Sequence, residues 1–184
     1  MGVIAMLVPF ALSALLERCA PKVGPVTMSA IIVHESGGRP NAIGDNTTRR
    51  SYDPADRAAA TRLANRLLAS GHNIDVGYAQ INSSNFGAYG LSAATAFDQC
   101  TNVAVGGRIL RGDYVVAART YGAGQMALVH ALSAYNTGGY WSGLGYARAV
   151  YATAAHLHYR RGRPSSPGAP HRAVAFRPQS ARTP

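Results

Sequence analysis

Acidic side chains are scarce in this chain. Eight aspartates and glutamates stand against eighteen lysines and arginines in 184 residues, and Glu17 and Glu35 are its only glutamates. The formal charge is +10 and the pI is near 10.2. Lysine is nearly missing as well, since every basic residue except Lys22 is arginine. A surface so short of carboxylates favours a polyanion, whether nucleic acid, anionic membrane or an acidic cell-wall polymer. It also leaves few groups able to do acid–base work.

Other absences narrow the field further. The two cysteines, Cys19 and Cys100, fit no metal-ligand spacing. On counting alone they are either separate buried thiols or a bridge closing a loop of roughly 80 residues, which would contribute on the order of 3–5 kcal/mol. Residues 1–16 are apolar, but Pro9 interrupts them and Glu17-Arg18 closes them, which is too short for a membrane span. They also lack the basic start and small-residue cleavage site of a signal peptide, so a first helix packed on the domain is expected. His34-Glu35 runs into Ser36-Gly37-Gly38 and does not complete HExxH. Neither GxSxG nor a phosphate-binding loop occurs. His156 and His158 are two apart and fall on different sides of a helix, so they read as surface residues and not as metal ligands. No internal repeat is evident.

A chain that is 47% hydrophobic and of this length builds one packed domain. Its pattern predicts helices. An opening helix covers Leu7 to Arg18, and Thr27 is placed to cap a second helix that stops at Gly37-Gly38. Arg39 to Tyr52 reads as loop. Asp53-Pro54 reads as a helix start, with the helix running through Leu63, Leu67 and Leu68 to Gly71 and its arginines Arg57, Arg62 and Arg66 on a solvated face. Residues 72–90 are too irregular for a long helix. Asp98 caps a helix reaching about Tyr121, in which Gly106-Gly107 imply close approach of another backbone. Further helices follow over about Gln125–Tyr135 and Tyr146–Tyr159. The expected architecture is all-α in one domain, residues 1–160, with a disordered Arg/Pro-rich tail over 161–184.

Glu35 is the residue with the clearest chemical promise. It ends the apolar run from Met28 to Val33, and Ile31 and Ile32 lie four and three residues before it, on its own helical face. Desolvation there raises a carboxyl pKa and keeps a proton available near neutrality. A proton-holding carboxylic acid is what protonates a departing sugar oxygen. The plain alternative is a glutamate exposed in the last turn of a surface helix.

Three later segments add to it. Glu35-Ser36, Gly77-Tyr78-Ala79-Gln80-Ile81-Asn82, Asn102-Val103 with Gly106, and Ala134-Tyr135-Asn136-Thr137-Gly138 together resemble, in that order, the motif set of the soluble lytic transglycosylases, whose fold is similar to goose-type lysozyme. Cys19-Ala20-Pro21, Gly71-His72-Asn73-Ile74-Asp75-Val76 and Phe97-Asp98-Gln99-Cys100 resemble the branch associated with type IV secretion and conjugation. The resemblance covers about residues 16–151. It departs at Tyr78-Ala79, where the family usually has Leu-Met.

The resemblance implies a lysozyme-like domain and cleavage of the β-1,4 bond between N-acetylmuramic acid and N-acetylglucosamine, with formation of a 1,6-anhydro end. Glu35 would be the single catalytic residue. Ser36, Gln80, Tyr135, Asn136 and Tyr146 would contact substrate, Tyr151 being the other candidate for the last of these. It implies pairing of Cys19 with Cys100, a periplasmic setting, glycan strands of peptidoglycan as substrate, and secretion or conjugation components as partners. Metal, cofactor, nucleic acid and a stable membrane span are not expected. A hydrolysing muramidase, with Asp45 or Asp75 positioning a water, and a non-catalytic basic binding or assembly protein stay open as alternatives.

Overall fold

A computed structural model describes residues 10–161 of the chain. The first nine residues and nearly all of the Arg/Pro-rich tail lie outside the described residues, so the expectations placed on them are not addressed by the structure. The elements in order are α1 (Phe10–Cys19), α2 (Pro25–Ser36), β1 (Ile43–Asp45), β2 (Arg50–Tyr52), α3 (Arg57–Ala69), β3 (Ile74–Val76) and β4 (Ile81–Asn82). A 3-10 turn (Ser83–Asn85) leads into α4 (Phe86–Tyr89) and α5 (Ala93–Ala96), and the long helices α6 (Gln99–Tyr121), α7 (Gln125–Thr137) and α8 (Leu144–Arg161) complete the chain.

Helix α2 runs through the core. Met28, Ala30, Ile31 and Ile32 have no solvent exposure, so the helix is apolar on nearly all sides, as a centrally packed helix must be. It packs against α1 and α8, while α6 packs along α7. The Thr27 cap does not form: Gly24 stands at the N-cap, Pro25 fills the first turn, and Thr27 is buried inside the helix. Proline suits that position because its fixed φ is already helical and its missing N–H has no partner to lose. At the other end Gly37 adopts a left-handed φ of 63°, and its N–H and that of Gly38 return to Val33 and Ile32. This stop ends the helix just past Glu35. Helix α3 begins later than the Asp53-Pro54 reading placed it. Asp56 is the cap, its carboxylate accepting from Ala59 N–H at 2.7 Å.

The helical expectation holds, with one addition. Four short strands form a single antiparallel sheet in the order β2-β1-β3-β4. Two of them occupy the segment read as loop, and two the segment read as irregular. Ile43, Asp45, Ile74, Val76 and Ile81 turn inward. Strand alternation therefore puts Gly44 and Asp75, which are register partners, on the opposite face, with Asn82 opposite Asp75 on β4.

Two contacts fasten this sheet to the helices. Asn102 of α6 is buried; its Nδ2 donates to Val76 O and Ala96 O, and its Oδ1 accepts from Ala79 N–H, all within 2.8–2.9 Å. Gly106, one turn on, lets Ala79 approach: a Cβ there would sit 2.6 Å from the Ala79 Cβ and 3.1 Å from the Tyr135 hydroxyl. Cys19 and Cys100 form a disulfide joining the end of α1 to the start of α6, with Cα atoms 5.3 Å apart.

Candidate active site

The C-terminal end of α2 delivers Glu35 to the first turns of α8, where Tyr146 donates its hydroxyl to Glu35 Oε1 at 2.6 Å. The carboxyl is part-buried beside a wholly apolar stretch of α2. Burial raises its pKa to about 7; the Tyr146 hydrogen bond works against that rise, and the negative charge of Asp75 adds to it. Tyr146 is itself held protonated by burial and by the neighbouring carboxylate, so it stays a donor across the accessible pH range. With Oε1 engaged, the proton of the neutral acid belongs on Oε2.

Asp75 lies on the outward face of the sheet. Its two oxygens are each claimed, Oδ2 by Asn46 Nδ2 at 2.7 Å and Oδ1 by Asn82 Nδ2 at 2.8 Å. Asp45 is not available for chemistry. It is buried on the inner face of β1 and accepts from the amides of Thr47 and Thr48, the Thr48 hydroxyl and His72. Burial alone would raise its pKa, but the bonds from Thr48 and His72 outweigh that and bring it down to about 2. Asp45 is thus a structural carboxylate shaping the turn between β1 and β2.

The other residues singled out in the sequence fall at varied distances from this chemistry. Tyr135, near the end of α7, is partly buried, and its hydroxyl donates to Ala79 O at 2.8 Å. Burial pushes its pKa up, and the charges of Glu35, Asp113 and Asp75 push the same way. Gln80 takes a positive φ of 45° and folds its amide back onto Gly77 O at 2.8 Å and Ala42 O at 3.2 Å. Its NH2 group therefore holds the β3–β4 turn. Ser36 is buried and donates to Ile32 O at 3.2 Å, a bond within its own helix. Asn136 is exposed at the end of α7. Tyr151 is directed elsewhere, donating to Gln125 Oε1 at 2.5 Å. His34 lies on the outside of α2, with Nε2 2.8 Å from the Thr153 hydroxyl. Among the described residues no group of three or more His, Cys, Asp or Glu side chains could hold a metal ion.

Sequence reasoning missed Asp113. It follows Gly106 by seven residues on α6, two turns along the same face, and that spacing was the available signal. Burial raises its pKa to about 6. The pairing of Asp75 with Asn46 and Asn82 was missed too, because it depends on the register of strands too short to announce themselves.

Comparison with known proteins gives a consistent picture. The family described as the transglycosylase SLT domain matches residues 16–142. The chain is 39% identical over 143 residues to the protein virB1 of Agrobacterium fabrum, covering 77% of this chain and 58% of that protein. It is 40% identical over 138 residues to the type IV secretion system protein virB1 of Brucella abortus biovar 1, covering 74% and 57% respectively. The chain therefore spans somewhat over half the length of these relatives. No solved structure matches it.

Proposed function

The chain belongs to the transglycosylase SLT domain family, and on that footing we propose that it is a peptidoglycan lytic transglycosylase, cleaving between N-acetylmuramic acid and N-acetylglucosamine and closing a 1,6-anhydro ring. The observation that carries the reading is the state of Glu35: a part-buried carboxyl with a pKa of about 7, bonded to Tyr146 on one oxygen. In the first step Oε2 gives its proton to the glycosidic oxygen. The C–O bond to the leaving sugar breaks as the acetamido oxygen of the muramic residue attacks its own anomeric carbon, as in substrate-assisted glycosidases. The Tyr146 hydrogen bond stabilises the carboxylate so formed.

In the second step that carboxylate takes the proton of the sugar's 6-hydroxyl. The hydroxyl oxygen attacks the anomeric carbon, the acetamido oxygen leaves, and Glu35 is neutral again. One carboxyl serves as acid and then as base, and no water enters. An inverting hydrolytic route needs a second carboxylate to hold a water. Asp45 is buried in its own turn and both Asp75 oxygens are bonded to asparagines, so the one-carboxylate route is preferred.

Within this reading Tyr135 fixes the Gly77–Gln80 segment as one wall of the groove, and Asn136 and the Gln80 carbonyl oxygen are the polar groups placed to meet sugar. We assign the enzyme to the periplasm, opening the wall locally for a type IV secretion or conjugation channel. The disulfide suits an oxidising compartment; the secretion setting follows the Brucella relative's name. End-group analysis of digested wall, with Glu35→Gln beside the wild type, tests the proposal. Anhydro ends that vanish in the variant support it, and wall lysis surviving Glu35→Gln overturns it.

A further inference from the structure

The six-residue linker between α7 and α8 holds the only tryptophan of the chain, Trp141, which is 65% exposed. A single exposed apolar residue is ordinary; a rigidly mounted one is less so. Ser133 Oγ donates to Gly139 O at 2.6 Å and accepts from Gly143 N–H at 2.8 Å, so one buried hydroxyl pins both ends of the linker. Between them Tyr140 O lies 2.7 Å from Nδ1 of the buried His130. His130 stacks on Tyr121, with centroids 3.9 Å apart and planes at 13°. Trp141 meets these two rings at 4.4 Å and 60°, and at 5.9 Å and 74°. Both contacts are of the edge type, and among the described residues most of the indole faces solvent.

The platform is carried by the same linker that connects two helices of the proposed site. The linker joins the helix bearing Tyr135 and Asn136 to the helix bearing Tyr146. Trp141 and Tyr146 are five positions apart, at most about 18 Å of extended chain. A pyranose ring offers a flat face of C–H groups, and an exposed indole offers the electron-rich face that receives them. We infer that Trp141 is a sugar-stacking platform for the glycan strand, holding a saccharide away from the bond that breaks. The inference rests on the glycan-cleaving reading of the site.

Because Trp141 is the only tryptophan, indole fluorescence of the full chain carrying Glu35→Gln reports on this position alone. Titration with chitohexaose, which carries no peptide, is expected to change the emission saturably. In the otherwise unaltered chain Trp141→Ala is expected to raise KM on glycan strands about tenfold with kcat within about twofold, and Trp141→Phe to recover most of the loss. A silent indole, or an unchanged KM in Trp141→Ala, overturns the platform. If wild type still releases anhydro ends in that case, the proposed reaction stands without it. A response to peptide-bearing muropeptides but not to chitohexaose also overturns the sugar assignment. Saturable binding of chitohexaose by a chain that makes no anhydro ends would instead overturn the reaction and leave the platform as a binding site.

Discussion

Glu35 and Tyr146 form a pair whose two effects oppose each other. Burial lifts the acid to about 7, and the phenol holds it from rising further. Replacing Tyr146 by Phe removes its hydrogen bond to Glu35, so the alkaline limb of the kcat/KM profile is expected to move to higher pH. The same change leaves the carboxylate formed during catalysis without its donor, so kcat is expected to fall about tenfold or more. An alkaline limb that stays in place would contradict this pairing. Stability carries the same signature. A carboxyl raised from 4.5 to about 7 on folding contributes fully below pH 4.5, and that contribution is lost as pH rises through 7. Glu35→Gln, which mimics the neutral form, is therefore expected to stabilise the fold by about 1–3 kcal/mol at pH 8 and by almost nothing at pH 4. Denaturant titrations at the two pH values measure the difference. The acid itself was legible in the sequence, because Ile31 and Ile32 set its surroundings from within one helix. The resemblance named Tyr146 as a site residue, but its bond to Glu35 was not legible, since the two lie 111 residues apart and only packing of α2 on α8 joins them.

At the scale of elements, the long helices were readable and the sheet was not. Helix α6 begins after Asp98 and ends at Tyr121, as the capping and periodicity suggested, because a helix of 23 residues repeats its pattern many times. The strands are two or three residues long, and β2 is largely exposed. No period-two pattern can show itself over so few positions, and tertiary contacts such as those of Asn102 and Asp45 hold them in place. The close approach expected at Gly106 does occur, against Ala79 of the turn that follows β3. Gly106→Ala would gain about 1 kcal/mol of helix propensity, but its methyl group would displace Ala79 and the Tyr135 hydroxyl. A net loss of about 1–3 kcal/mol is expected, with reduced activity because the wall of the groove moves. A variant as stable as wild type in thermal unfolding would show that this contact is looser than described.

The whole molecule combines a basic composition, one disulfide and one part-buried carboxyl proposed as the catalytic group. The disulfide closes a separation of 81 residues, and by chain entropy contributes about 3–5 kcal/mol. Replacing both Cys19 and Cys100 by Ser is expected to lower the melting temperature by roughly 10 °C; an unchanged melting temperature would mean that the unfolded chain gains little freedom. A charge of +10 matches an acidic wall polymer as the long-range partner. In sequence the charge could not choose among polyanions, and the ordered motifs turned it toward the wall.

Mass spectrometry of the glycan ends released from purified peptidoglycan tests the proposed reaction most directly. The scheme in which Glu35 acts as acid and then as base leaves every new muramic end as a 1,6-anhydro sugar, lighter than a reducing end by one water, and none in the Glu35→Gln digest. Reducing ends throughout the wild-type digest would contradict it, because water would then have entered the bond.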